Sequence, residues 1–468
     1  MNPETFHTIV IGAGSGGMTV AVGMANLGHP VALVEGAHVG GDCTNVGCVP
    51  SKTLIHLARE FRPGDDPDEV LRTVIRKRDA LRDKETEEAR GMENVTFIQG
   101  WAAFRDAHTL EVSQLDGSTR TLRGKNIVIA SGARPRPLEI PGLPEERTLT
   151  NESLFDLTDA PKHLAIVGAG IIALEMAFAF QKLGVQVTVF ALDERPIPRA
   201  IPEASQAIQA ELERRGITTL YGATAKSYDE STRTLLIQQG ERKIPLPDVD
   251  KVLIAIGRLR NIERLSLEAA GVRYDRNGIA VNHYGKTSAP GVYAIGDVTP
   301  TSAFTHSANA QGRRVVQHIA FPWMPVSRRE PLYPSATFSD PEVATVGTPP
   351  DGRCHPQAVR RIRVDFKTHT DRGYTDEIEN GFIIVDAVRL TGRILHATIV
   401  GPHASEMISF FTLAMTQGIS LYKIYRLVYP YPTFSSGILK VTDFFLQETL
   451  TNLPREIGAY LRYRFARP

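Results

Sequence analysis

The sequence predicts an α/β chain in which one nucleotide-binding pattern occurs twice, followed by a C-terminal α+β unit. Three observations carry this. An apolar strand, a glycine turn, a helix and a second strand run in that order over residues 8–35, and the same order returns over 164–190. A later apolar strand ends in Gly296-Asp297. After Arg328 short strands alternate with helices, and no further glycine turn appears. These changes divide the chain into 1–150, 151–278, a return segment 279–328 that belongs with the first unit, and 329–468. A chain of 468 residues has room for several cores of this size.

In the first unit Thr8-Ile9-Val10-Ile11 is the continuous apolar run of a strand buried on both faces. Gly12-Ala13-Gly14-Ser15-Gly16-Gly17 opens a helix that ends near Gly28, and the strand Val31 to Val34 delivers Glu35. This is the dinucleotide fingerprint in its full context. Gly12 makes the tight turn, Gly14 lets the backbone approach a pyrophosphate at the helix N-terminus, Gly17 packs helix on strand, and Glu35 accepts from a ribose hydroxyl. Val70, Leu71, Val74, Ile75 and Leu81 recur at helical spacing in a charged stretch, the mark of a long helix with a solvated face. Val95 to Ile98, Thr109 to Val112 and Ile127 to Ala133 read as strands, the last containing the small residues Ser131 and Gly132.

In the second unit Leu164 to Val167 leads into Gly168-Ala169-Gly170-Ile171-Ile172-Ala173, a helix, and the strand Val187 to Phe190. Alanine at the third small position still permits close helix–strand packing. Two such sites suggest two different cofactors; one pairing that uses this arrangement is a flavin in the first and a nicotinamide in the second. Val252 to Ile256 followed by Gly257-Arg258 reads as the closing strand of the second unit. Asp297 can accept from a ribityl or ribose hydroxyl; a simple turn is the alternative.

Residues 40–52, Gly-Gly-Asp-Cys-Thr-Asn-Val-Gly-Cys-Val-Pro-Ser-Lys, hold two of the three cysteines. Pro50 suits a helix's first turn, so a helix starting there aims its positive end at the sulfurs, and Lys52 adds a charge one turn on. Thiolate is favoured over thiol. A structural disulfide across so short a loop would contribute only about 2 kcal/mol, a weak motive in so long a chain. A redox-active pair fits better. Three cysteines make no disulfide framework and suit a reducing compartment.

The charges, 53 basic and 52 acidic, leave a net of +1 and give no case for nucleic acid or an anionic membrane. No apolar run nears the roughly 20 residues of a membrane helix, and the expectation is a soluble cytoplasmic protein.

Taken together, Gly12-x-Gly14-x-x-Gly17 with Glu35, Cys43-x4-Cys48, Gly168-x-Gly170-x-x-Ala173 and Ala294-Ile295-Gly296-Asp297 resemble the flavoprotein pyridine nucleotide-disulfide oxidoreductases. That group includes dihydrolipoamide dehydrogenase, glutathione reductase and mercuric reductase. The resemblance covers nearly the whole chain, and Thr337-Phe338-Ser339-Asp340-Pro341-Glu342 is similar to the start of the family's interface domain, which implies a homodimer. It implies FAD along the first unit, held by Glu35, Gly41, Ser131, Gly132 and Asp297, and NADH or NADPH on the second, around Gly168, Gly170, Ala173 and Gly257. It implies that Cys48 is the thiolate against the flavin, Cys43 the interchange thiol, and Lys52 and Glu175 a pair beside the flavin. Ile171 stands where some members carry a gating tyrosine.

Two departures bear on function. Disulfide-reducing members carry His-Pro and a glutamate near the C-terminus, an acid/base pair supplied across the dimer interface. Here the stretch is Tyr431-Pro432-Thr433-Phe434-Ser435-Ser436. A phenol of ordinary pKa, about 10, is a poor proton shuttle at neutral pH. Mercuric reductases resemble this chain in having tyrosine there, because a soft metal needs thiolates rather than a proton donor. Yet the tail Tyr460 to Pro468 lacks their cysteine pair, and Cys354 is a lone loop thiol. Tyr431 could instead pack with Tyr429 and Phe434. The second departure is at Ala191-Leu192, which replaces the acid of NADH enzymes and the arginine of NADPH enzymes; Arg195, Arg199 and Arg260 lean the choice to NADPH. The leading expectation is a mercuric-reductase-like oxidoreductase passing electrons through FAD and the dithiol to a metal–thiol complex, a quinone or a similar small acceptor, with no metal site of its own. The alternatives are a lipoamide- or glutathione-type disulfide reductase lacking the histidine, and a redox sensor or electron carrier.

Overall fold

The computed structural model describes residues 2–301, 304–324, 331–350 and 358–465, of which 463–465 as backbone only. Cys354 lies outside the described residues.

The first unit is organised by the strand Glu4–Ile11, which pairs in parallel with Val31–Glu35 on one side and Thr119–Ile129 on the other. Ile9, Val10, Val31, Leu33, Ile127 and Val128 have no exposed surface, as expected for strands covered on both faces. The helix Ser15–Asn26 covers one face. Val95–Asp106 and Thr109–Gln114 form an antiparallel extension that returns to Thr119–Ile129. Residues 292–294 join this same sheet beside Ile127–Ile129, although the whole second unit lies between them in sequence.

The second unit is a five-stranded parallel sheet in which His163–Val167 is flanked by Gln186–Ala191 and Lys251–Ile254. The helix Ile171–Lys182 packs on it through Ala173, Leu174, Ala177 and Phe180. An antiparallel three-stranded sheet over residues 223–246 rests on its opposite face. Two short strands, Ala133–Pro135 and Arg258–Arg260, pair where the chain crosses between the units.

The C-terminal unit is a five-stranded antiparallel sheet, with Phe382–Val388 and Ile394–Val400 at its centre. The helices Ala404–Thr416 and Ser436–Thr451 bury Phe411, Val441 and Phe445 against it. It is locked to the second unit by Arg215 and Lys182 on Asp340 and by Arg361 on Glu203. The last helix, Leu453–Phe465, is pinned by Glu456, which has no exposed surface and accepts from Arg360 Nη2 at 2.5 Å and Arg389 Nη1 at 2.6 Å. Among the described residues no helix is long and apolar enough to cross a membrane.

Candidate functional site

One cleft of about 1640 Å³ runs between the three units and is lined by both glycine turns and both cysteines of the redox stretch. The short helix Gly41–Asn45 carries Cys43, and Cys48 is the first residue of the helix Cys48–Glu60. Gly40 and Gly41 adopt φ of +86° and +56°, and a Cβ on Gly41 would stand 2.8 Å from the Gly14 Cα. Two Cβ-less residues therefore let the cysteine stretch lie directly on the first nucleotide turn.

The two sulfurs are half-buried and electrostatically unequal. Cys48 is held down to about 6, first by the hydrogen bond from the Cys43 thiol, then by Thr305 and the Lys52 charge, all acting against burial. Cys43 is pushed up, first by donating that bond and then by burial. A reduced pair therefore keeps its proton on Cys43 and its negative charge on Cys48. Thr305 Oγ1 lies 3.4 Å from Cys48 Sγ. Sequence reasoning missed this threonine, since a lone Thr opening a helix carries no motif.

Lys52 Nζ donates to Glu175 Oε2 at 2.8 Å and sits 4.5 Å from the centroid of the Phe338 ring. The other oxygen of Glu175 accepts from the Phe338 backbone N–H at 3.0 Å. Three residues from three units meet beside the sulfurs.

At the far end of the cleft Glu35 accepts from the N–H groups of Ala13 at 2.6 Å and Ala37 at 2.7 Å, while burial raises its carboxyl above the ordinary range. Gly12 (φ +103°) would place a Cβ 2.4 Å from the Ala130 carbonyl oxygen, and a Cβ on Gly17 would lie 1.9 Å from that of Gly12. Both shape the turn without lining the cleft, as does the fully buried Ala173 in the second unit. Gly14, Ser131, Gly132, Gly168, Gly170 and Gly257 do line it. Asp297 lines it too; burial raises its carboxyl, and Arg258, bonded to Asp42 and the Ala133 carbonyl, faces it at 3.8 Å.

Two of the expected site residues, Arg195 and Tyr431, stand elsewhere, while Arg260 lines the cleft. Arg195 turns inward and donates from Nη2 to the Pro198 and Ala200 carbonyls, both at 3.0 Å. It braces its own loop, leaving Arg199 as the exposed arginine of that loop on the cleft wall. Arg260, in its crossing strand, donates to the Asn277 carbonyl. Tyr431 is 73% exposed on the C-terminal unit and lines no part of its own chain's cleft. Nor does it join an aromatic cluster: Tyr429 packs near Phe410 and Phe434 against Phe366.

The residues present fit FAD and a nicotinamide dinucleotide. The helices starting at Ser15 and Ile171 have glycine N-caps with no side-chain cap, so their first N–H groups are free for phosphate oxygens, and a Cβ on Gly170 would meet nothing within 4 Å. A cleft with two such helix starts and a polarised cysteine pair between them defines an oxidoreductase dependent on FAD and NAD(P)H; when bound, FAD supplies two-electron chemistry.

The comparisons with known proteins then give the family. Residues 6–312 match the pyridine nucleotide-disulphide oxidoreductase model, and residues 333–441 match the dimerisation domain of that name. The chain belongs to this family, and its C-terminal unit is the element through which two copies pair. Dihydrolipoyl dehydrogenase 3 of Pseudomonas aeruginosa is 33% identical, with 93% of this chain and 97% of that protein covered. The mercuric reductase of Shewanella putrefaciens is 30% identical, covering 93% of this chain and 80% of its own. Among solved structures, the Cu(II) complex of the HOCl-induced flavoprotein disulfide reductase RclA from Escherichia coli superposes with a TM-score of 0.85 at 25% identity, covering 95% of this chain and 100% of that one.

Proposed function

We propose that the protein oxidises NAD(P)H and delivers electrons through FAD and the Cys43–Cys48 pair to a soft metal–thiol complex, a quinone or a similar small electrophile. One observation carries this reading. Where disulfide-reducing members supply a histidine and a glutamate, this chain offers Tyr431, exposed on the dimerisation domain, and a serine in the stretch that ends at Ser436. A disulfide acceptor needs its leaving thiolate protonated, and a phenol does this poorly at neutral pH. A metal ion needs only the two sulfurs, and a quinone has no leaving thiolate to protonate. The mercuric reductase relative and the Cu(II) complex of the RclA neighbour are in keeping with a soft-metal acceptor.

In this reading Cys48 is the charged thiol at the flavin and Cys43 the thiol that meets the acceptor. Lys52, aligned by Glu175, holds positive charge beside Cys48. Arg199 favours NADPH by meeting a 2′-phosphate that Ala191 and Leu192 cannot recognise. The dihydrolipoyl dehydrogenase relatives favour a second reading, a lipoamide reductase that works without the histidine.

The test is anaerobic turnover of the holoenzyme with NADPH and, separately, NADH. The acceptors are Hg(II) with excess thiol, Cu(II) with excess thiol, a benzoquinone, lipoamide and glutathione disulfide. The expected outcome is a metal or quinone rate above both disulfide rates by on the order of 10²-fold, the share a general acid contributes. Lipoamide or glutathione disulfide turning over as fast as the others would overturn the proposal.

A further inference from the structure

The helix Leu453–Phe465 turns only a narrow side inward. Glu456 and Ala459, three positions apart, are buried, with Glu456 under Arg360 and Arg389. On the outer side Leu453, Ile457 and Leu461 are 40%, 41% and 46% exposed, and Leu450, at the end of the preceding helix, is 71% exposed. The first three follow one another at four-residue steps and so form a single ridge. A lone exposed leucine is ordinary on a protein surface, but a continuous apolar row marks a place of contact. Alongside it stand Arg455 and Arg462, both exposed and seven residues apart, hence on one side of the helix. Among the described residues neither has a hydrogen-bond or ion-pair partner. The carboxylates closest in sequence are already engaged, Glu456 by Arg360 and Arg389 and Glu448 by Arg360.

The sequence extends the bias. From Thr449 to Pro468 it holds four arginines, Arg455, Arg462, Arg464 and Arg467, and one acid, the buried Glu456. The net charge of +1 belongs to the whole chain and averages this local excess away. The ridge lines no part of the cleft. It is also remote from the stretch around Tyr431, because the 16-residue helix Ser436–Thr451 carries the chain about 24 Å before Leu453 begins. We propose that Leu453–Phe465 is a membrane-surface helix, which lies flat on an anionic lipid bilayer. An acidic protein would answer the arginines and leave the ridge uncovered. An apolar ridge with a basic edge along its length matches a surface whose apolar and anionic layers lie one above the other, as acyl chains and lipid phosphates do. Leu453, Ile457 and Leu461 enter the acyl boundary, while Arg455 and Arg462 keep their stems on the apolar layer and their guanidinium groups among the phosphates. At 13 residues the helix is too short to span a bilayer, so the attachment is peripheral and reversible.

Co-flotation of the holoenzyme with lipid vesicles tests this. The unaltered protein is expected to float with vesicles of phosphatidylcholine mixed with phosphatidylglycerol, to float far less with phosphatidylcholine alone, and to be released by salt. This comparison needs no variant, so it stands even where a substitution folds poorly. Protein that stays in the soluble fraction with both vesicles, or that partitions equally onto both, overturns the proposal. Arg455→Gln with Arg462→Gln should weaken partition onto the mixed vesicles by about thirtyfold, about fivefold for each arginine. Ile457→Gln with Leu461→Gln should weaken it by about tenfold or more. Either pair binding as the unaltered protein does overturns the proposal. Both pairs should keep the unaltered rate of ferricyanide reduction by NADPH, since none of the four residues lines the cleft. Light scattering without vesicles completes the test. An unchanged mass for Ile457→Gln with Leu461→Gln is expected, and a fall in mass would show that a second copy of the chain covers the ridge, which also overturns it.

Discussion

Cys43→Ala is the most informative perturbation of the sulfur pair. The Cys43 thiol is the first cause of the low pKa of Cys48, which is held at about 6 against a starting value of 9.0. Three pH units correspond to about 4 kcal/mol in favour of the thiolate. Thr305 and Lys52 supply part of that preference and burial opposes it, so losing the largest favourable contribution moves the titration upward by more than one pH unit. The sign is fixed: a lowered thiol pKa means the thiolate persists above about 6 and is lost as pH falls through it. The assay is the alkylation rate of Cys48 by iodoacetamide against pH, read by peptide mapping. The protein is fully reduced, and Cys354→Ala silences the third cysteine. The parent should show an acid limb near 6, and Cys43→Ala a limb displaced above 7. A limb that stays in place after Cys43 is removed would refute the argument that the neighbouring thiol sets the charge on Cys48.

Other expectations follow from the same geometry. Lys52→Met should raise the Cys48 limb by less than Cys43→Ala does, since the lysine is a smaller cause, measured in the same alkylation series. Arg199→Ala should raise KM for NADPH by about tenfold and leave KM for NADH within twofold, the pattern of one lost phosphate contact. Glu456→Gln leaves Arg360 and Arg389 facing each other without their shared carboxylate, and should cost about 3–5 kcal/mol in urea unfolding. Gly12→Ala combines a φ of +103° with a 2.4 Å approach to the Ala130 carbonyl oxygen, and should yield protein without bound flavin by absorbance.

Much of this was legible because buried parallel strands write themselves as unbroken apolar runs and tight nucleotide turns demand glycine at fixed offsets. The strands around Val10 and Ile166 and the turns at Gly12 and Gly168 follow those rules, while the helix expected from Pro50 begins two residues earlier, at Cys48. Elements that lean on others were harder to read. The sheet over 223–246 has half-exposed polar strands such as Thr234–Gln239, whose burial comes from packing on the second unit. The strand Val95–Asp106 runs well past Ile98 because its antiparallel partner extends it. Arg195 could not be told from Arg199 by spacing; only the fold shows that the Pro198 and Ala200 carbonyls draw one guanidinium inward. Thr305 reaches the cleft through helix placement, which no local pattern encodes.

Glu175 has a reach larger than its size. One carboxylate, 3% exposed, holds Lys52 of the first unit with one oxygen and the Phe338 backbone of the third with the other, while belonging to the second. An oxygen in such a place has no water to fall back on, so neither bond can be given up cheaply. The three units therefore share a keystone at the reactive centre. A truncation before Phe338 would remove more than the pairing surface, since it would also deprive the lysine beside the sulfurs of its alignment. Assembly and reactivity thus have a common structural root.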